Sequence, residues 1–138
     1  MIANRVLVDT GPLVALLRED DSAHDDCANL IRDLPLPMIT CWAVVTEAAW
    51  LLRTIHNGLP RLLELLESNV IRCDELDLSA PRWIIECSEK YADLTPQLAD
   101  LSLLYLAERE GVHHILTLDR RDFTVYRSGD GRPFDLLP

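Results

Sequence analysis

The stretch RVLVDTGPLVALL, residues 5–17, decides how the chain is read. Arg5–Asp9 is a short apolar run ending on a carboxylate, the pattern of a buried strand. Thr10, Gly11 and Pro12 then open a helix through Leu17, with the proline where a missing N–H costs nothing. A strand that ends on an acid and passes directly into a helix is the repeating unit of a parallel α/β sheet, and the rest of the chain continues it.

Ser22 and Asp25 have capping-box spacing, which predicts a helix to about Leu34, stopped by Pro35 and Pro37. Met38–Cys41 reads as the second strand and Ala43–Ile55 as a strongly apolar helix ended by Asn57-Gly58. Leu59–Asn69 is amphipathic, with Leu62, Leu63, Leu65 and Leu66 on its inner side. Val70–Cys73 is the third strand. Ser79 caps a helix over Ala80–Tyr91, and Thr95-Pro96 opens another through about Arg109, closed by Gly111, with Leu98, Leu101 and Tyr105 on one face. His114–Leu118 is the fourth strand, Asp119–Phe123 a turn or short helix, and Pro133–Leu136 an edge strand. Strands alternating with helices predict an α/β fold: a mostly parallel sheet covered on both faces.

At 138 residues the chain fits a single domain, residues 1–138. Met1–Val8 is too short an apolar run for a leader, and no run is long enough to span a bilayer, so a soluble cytoplasmic protein is expected. Cys27, Cys41, Cys73 and Cys87 form no CxxC pair and read as small core hydrophobes rather than disulfides or metal ligands. The net charge is −10, and every basic residue except Lys90 is arginine. That balance argues against a general nucleic-acid coat, but not against a nuclease whose acidic centre is neutralised by divalent cations. It also suits a basic protein partner.

Four acids stand out. Asp9 and Asp119 close predicted strands, where α/β sheets build their sites; either could equally cap the helix that follows, and Asp119 could do so reciprocally with Asp122. Glu47 lies in an apolar helix that is expected to be buried, so it needs a partner, whether a metal or an arginine such as Arg53. Asp100, flanked by Ala99 and Leu101 in the second turn of its helix, is either part of the site or on a solvated face. Carboxylates converging beyond strand ends repel one another unless a hard cation joins them. Mg²⁺ or Mn²⁺ there would support in-line attack of activated water on a phosphodiester, with one or two metals. The histidines lack ligand spacing, with His113 and His114 expected to be partly exposed. Trp42, Trp50 and Trp83 read as core or dimer contacts before base-stacking platforms, and Arg120 and Arg121 as phosphate contacts or a solvated turn.

Four segments carry a resemblance across nearly the whole chain: VLVDTGPLVALL with Asp9 and Thr10, AVVTEAAWLL with Glu47, LADLSLLYLAEREG with Asp100, and HILTLDRRDF with Thr117 and Asp119. In order and spacing the sequence resembles the PIN-domain ribonucleases, especially VapC-type toxins of toxin–antitoxin pairs. The resemblance implies a three-layer α/β/α sandwich and RNA endonuclease activity dependent on Mg²⁺ or Mn²⁺. It implies metal-binding acids at Asp9, Glu47, Asp100 and Asp119, and orienting hydroxyls at Thr10 and Thr117. Asp93 and Asp122 are further acids near these segments, candidates for supporting the ligands. It also implies a homodimer and a cognate antitoxin that lays a segment, with an arginine, over the acids. The rival reading of another class is a PIN-like module that binds antitoxin or RNA without cleaving, which would be marked by lost acids. A phosphoacceptor receiver would need a lysine after a late strand, and Lys90 is in a helix end; a haloacid-dehalogenase-like phosphatase would need an acid where Gly11 stands.

Overall fold

Val6, Leu7 and Val8 are fully buried, and Met38, Ile39 and Thr40 nearly so. Consecutive residues of a strand point to opposite faces, so burial of all of them means that both faces of the sheet are covered. In the computed structural model, which describes residues 5–138, these segments are β1 (Leu7–Val8) and β2 (Met38–Thr40). With β3 (Ile71–Cys73), β4 (His114–Leu116) and β5 (Asp135–Leu137) they form a five-stranded sheet in the order β3-β2-β1-β4-β5. Every strand pairing is parallel. The expected three-layer α/β/α sandwich is therefore present.

Helices connect the strands: α1 (Thr10–Leu17) and α2 (His24–Arg32), α3 (Trp42–Leu51) and α4 (Gly58–Glu67), α5 (Ala80–Lys90) and α6 (Leu98–Glu110), and α7 (Arg120–Val125). A 3₁₀ turn at Ala92–Leu94 precedes α6. Gly111 closes α6 with φ +65°, the left-handed cap that glycine adopts without strain. From β1 the chain first builds outward through β2 and β3, then returns to the other side of β1 for β4 and β5. The strand order thus reverses between β1 and β4, and the crevice beyond their carboxyl ends is where such sheets bind ligands. The Asp9 amide donates to the Leu116 carbonyl at 2.9 Å, holding those two ends together.

Several local expectations are corrected. Ser22 makes no cap on α2; Asp21 instead accepts from the Ala23 amide at 2.8 Å. Ser79 likewise makes no side-chain cap, and Asp77 accepts from its amide at 2.9 Å. In both, the acid before the expected cap fixes the turn by reaching two residues on. α3 stops at Leu51, not Ile55, because the chain turns tightly into α4 through Asn57 at φ 54°. α3 is not buried all round, since Trp42, Thr46 and Trp50 form an exposed stripe at four-residue spacing. Leu63 (41% exposed) and Leu98 (61%) also face outward.

The four cysteines are free thiols, Cys27 and Cys41 buried and the other two half-buried; burial pushes Cys73 up to about 12, away from reactivity. No helix among the described residues is long and apolar enough to cross a membrane. The leader reading falls partly on residues 1–4, which lie outside the described residues.

Candidate active site

Asp9 occupies the N-cap position of α1 but makes no side-chain cap. Its carboxylate turns instead to Thr117, whose hydroxyl donates to Asp9 Oδ2 at 2.9 Å. The same Thr117 oxygen accepts from the Asp119 amide at 3.0 Å. One buried hydroxyl therefore ties the ends of β1 and β4 together and orients both acids. Asp119 does cap α7, accepting from the Asp122 amide at 3.2 Å, so the capping and crevice roles coexist in this residue. The expected reciprocal bond from Asp122 is replaced by the Thr117 hydroxyl.

Glu47 is half-buried on the second turn of α3, and its Oε2 accepts from Thr10 Oγ1 at 3.0 Å. The alternative partner, Arg53, lies against Trp50 instead, its guanidinium 3.8 Å from the ring centroid. Asp100 is in the first turn of α6, not the second, because the helix begins at Leu98 rather than at Pro96. It is buried, and the Tyr126 hydroxyl approaches its Oδ2 at 3.4 Å. Tyr126 carried no signal in the sequence; it arrives from the chain after α7, and only the tertiary fold places it there.

Asp9, Glu47, Asp93, Asp100, Asp119 and Asp122 all line one cavity of about 630 Å³, with Thr10, Leu51 and Leu118. Arg121 is the basic residue among the described lining. Arg120 turns away, donating to the Pro138 carbonyl at 2.8 Å. Asp93, on the 3₁₀ turn, is exposed at the cavity's edge. All four acids singled out in the sequence, Asp9, Glu47, Asp100 and Asp119, line this cavity.

The electrostatics are unfavourable for bare carboxylates. Burial, then the charges of Asp9 and Asp119, push Asp100 up to about 7. Burial also raises Asp9, against the opposing Thr10 amide and Thr117 hydroxyl. No ion pair among the described residues involves Asp9, Glu47, Asp100, Asp119 or Asp122. One carboxylate oxygen each from Asp100, Asp119 and Asp122 lie within 4.8 Å of one another. An all-oxygen donor set, converging with no ion-pair partner among the described residues, fits a hard divalent ion. Asp122 enters this group more closely than its sequence position suggested, because the first turn of α7 swings it back beside Asp119.

Comparison with known proteins agrees with this fold. The family model of the PIN domain matches residues 6–127. Ribonuclease VapC26 of Mycobacterium tuberculosis is 27% identical over 138 residues, spanning 96% of this chain and all of that protein. The crystal structure of Mycobacterium tuberculosis VapC20, described as a sarcin–ricin loop cleaving toxin, superposes with a TM-score of 0.76. That match has 19% identity over 84% of this chain and 91% of the other, and is a likeness of fold.

Proposed function

This chain belongs to the PIN-domain family, and from that premise we propose that it is a metal-dependent endoribonuclease, the toxin of a type II toxin–antitoxin pair. The observation that carries the reading is the convergence of six carboxylates on one cavity with no ion-pair partner for its central five. Such a site repels a phosphodiester until cations enter it.

Asp9, Glu47, Asp100 and Asp119 would hold Mg²⁺ or Mn²⁺, with Asp122 beside Asp100 and Asp119. The bound cation would supply charge neutralisation and a lowered pKa for the attacking water. The chain's own residues do the rest. Thr117 fixes Asp9 and the Asp119 backbone, and Thr10 fixes Glu47. Positions locked by such hydrogen bonds need no reorganisation during reaction. Arg121 is placed to hold a phosphate oxygen of the strand. Asp93, at the edge, would act through solvent rather than as a direct ligand.

The names of the VapC relative and of the VapC structure support the ribonuclease-toxin assignment, and with it an RNA substrate and a cognate antitoxin; a homodimer and a cytoplasmic setting are part of the same proposal. An antitoxin segment bringing an arginine would supply the cation that the acids lack.

The test is to incubate purified, partner-free chain with a mixed pool of structured RNA in Mg²⁺, in Mn²⁺ and in chelator. Internal cuts that require the metal support the reading. A folded, antitoxin-free chain that cuts nothing in either metal counts against it.

A further inference from the structure

Three of the four acids proposed to hold the cation are each met by a hydroxyl. Thr117 donates to Asp9, Thr10 donates to Glu47, and the Tyr126 hydroxyl lies 3.4 Å from Asp100 Oδ2. Tyr126 is fully buried, and Tyr91 and Phe123 clamp its ring edge-on, with centroids 4.9 and 5.2 Å away. The clamp is itself fixed, since the Tyr91 hydroxyl accepts from the Arg127 amide at 3.0 Å and Phe123 is fully buried. A phenol held this way has little freedom to find another acceptor, and Asp100 is its one hydrogen-bond partner among the described residues. At neutral pH a phenol is a donor, and a carboxylate acceptor strengthens a contact that is long for an O–H···O bond. Tyr126 closes α7 four residues after Asp122, its amide donating to the Asp122 carbonyl at 3.1 Å, so both side chains leave on one side of the helix. Asp122 brings a carboxylate oxygen within 4.8 Å of one from Asp100. Asp100 is thus met from α7 by an acid and by a neutral donor.

We infer that Tyr126 is a positioning residue for the metal site: its hydroxyl holds one oxygen of the ionised Asp100 and leaves the other for the cation, as Thr117 does for Asp9 and Thr10 for Glu47. This rests on the metal-dependent reading above. No other hydrogen bond to the Asp100 carboxylate is formed among the described residues, so the phenol is the group that orients it. Carboxylates that ligate metals are themselves hydrogen-bonded, and those partners set their orientation. A Tyr126 that served the core alone would need only its ring. Its neighbour Tyr91 shows the alternative, with a hydroxyl directed at backbone rather than at an acid.

The test measures Mn²⁺ binding to the full chain by calorimetry, wild type beside Tyr126→Phe, which keeps the ring contacts and loses the hydroxyl. Affinity should fall by roughly tenfold or more. Cleavage of the mixed RNA pool should fall at limiting Mn²⁺ and recover toward wild type at saturating Mn²⁺. Tyr91→Phe removes a hydroxyl from the same aromatic cluster that touches no carboxylate, and should leave Mn²⁺ affinity unchanged. An unchanged affinity in folded Tyr126→Phe, or an equal loss in both variants, would make Tyr126 a core residue and overturn the inference. A second measurement needs no change at Tyr126. In chain carrying 3-fluorotyrosine, the fluorine resonances of the three tyrosines are assigned through Tyr91→Phe and Tyr105→Phe. Added Mg²⁺ should move the Tyr126 resonance most, and a Tyr126 resonance that stays in place contradicts the inference. If Tyr126→Phe binds Mn²⁺ more weakly than wild type but neither cuts RNA, the positioning role stands and the nuclease reading fails. If the wild type binds no Mn²⁺, the inference fails together with the metal site.

Discussion

The Thr117 hydroxyl donates to Asp9 Oδ2 at 2.9 Å, linking residues 108 positions apart at the ends of two adjacent strands. The same oxygen accepts the Asp119 amide, so one fully buried side chain sets two acids at once. Thr117→Val keeps the shape and removes both bonds. Stability should fall by about 1–2 kcal/mol in urea denaturation, as buried groups lose their partner. RNA cleavage should fall about 10- to 100-fold, since groups that orient ligands carry effects of that size. An unchanged cleavage rate would show that Asp9 needs no orientation.

Asp100 makes the metal-free protein sensitive to pH. Its carboxyl is held at about 7 when folded, against an ordinary 3.8. The folded state therefore binds a proton that the unfolded state has already released. The stability from this group is complete below pH about 4 and is lost as pH rises to about 7. In chelator, the melting temperature should fall across that window, and less steeply in Asp100→Asn. At pH 8 the metal-free variant should melt above wild type, and added Mn²⁺ should narrow or reverse the difference by stabilising only the protein that binds it well. A metal-free variant that melts lower at pH 8 would make Asp100 a structural residue.

Asp122 and Asp93 line the same cavity but should behave differently. Asp122 places a carboxylate oxygen within 4.8 Å of Asp100 and Asp119, whereas Asp93 is exposed at the edge. Asp122→Asn should weaken Mn²⁺ binding, read by calorimetry, by roughly tenfold or more, and Asp93→Asn far less. The reverse order would move the centre of the site toward the 3₁₀ turn.

Much of this was legible in the sequence, for physical reasons that differ residue by residue. Asp9 and Asp119 could be placed because an apolar run followed by an acid and a helix has few structural outcomes in an α/β chain. Glu47 could be singled out because apolar neighbours made an unpaired charge costly. The same apolar neighbours hid the exposure of Trp42 and Trp50, since α3 is hydrophobic on both its inner and outer sides and its periodicity is flat. Asp122 was undervalued because its approach to Asp100 depends on how α7 turns back, not on local propensity. Tyr126 was invisible for the same reason: its contact with Asp100 spans 26 residues and no pattern announces it.

Gly58 is a test of the scaffold rather than the site. A Cβ there would lie 2.3 Å from the Leu52 carbonyl oxygen, closer than any real contact, at the tight turn from α3 into α4. Gly58→Ala should destabilise by about 1–3 kcal/mol in urea denaturation, exceeding the helix propensity gained. A more stable variant would mean that the turn has room to relax.

The carboxylates at the β1–β4 switch point are proposed to be a catalytic metal site. The most direct measurement is metal-dependent cleavage of the mixed RNA pool by wild type beside Asp9→Asn and Asp100→Asn, with circular dichroism confirming that all three are folded. Both substitutions keep the size of the side chain and remove its charge, so cutting by wild type should disappear in each variant while the spectrum is unchanged. Cutting at the wild-type rate by both folded variants would contradict the claim and return these acids to a structural role.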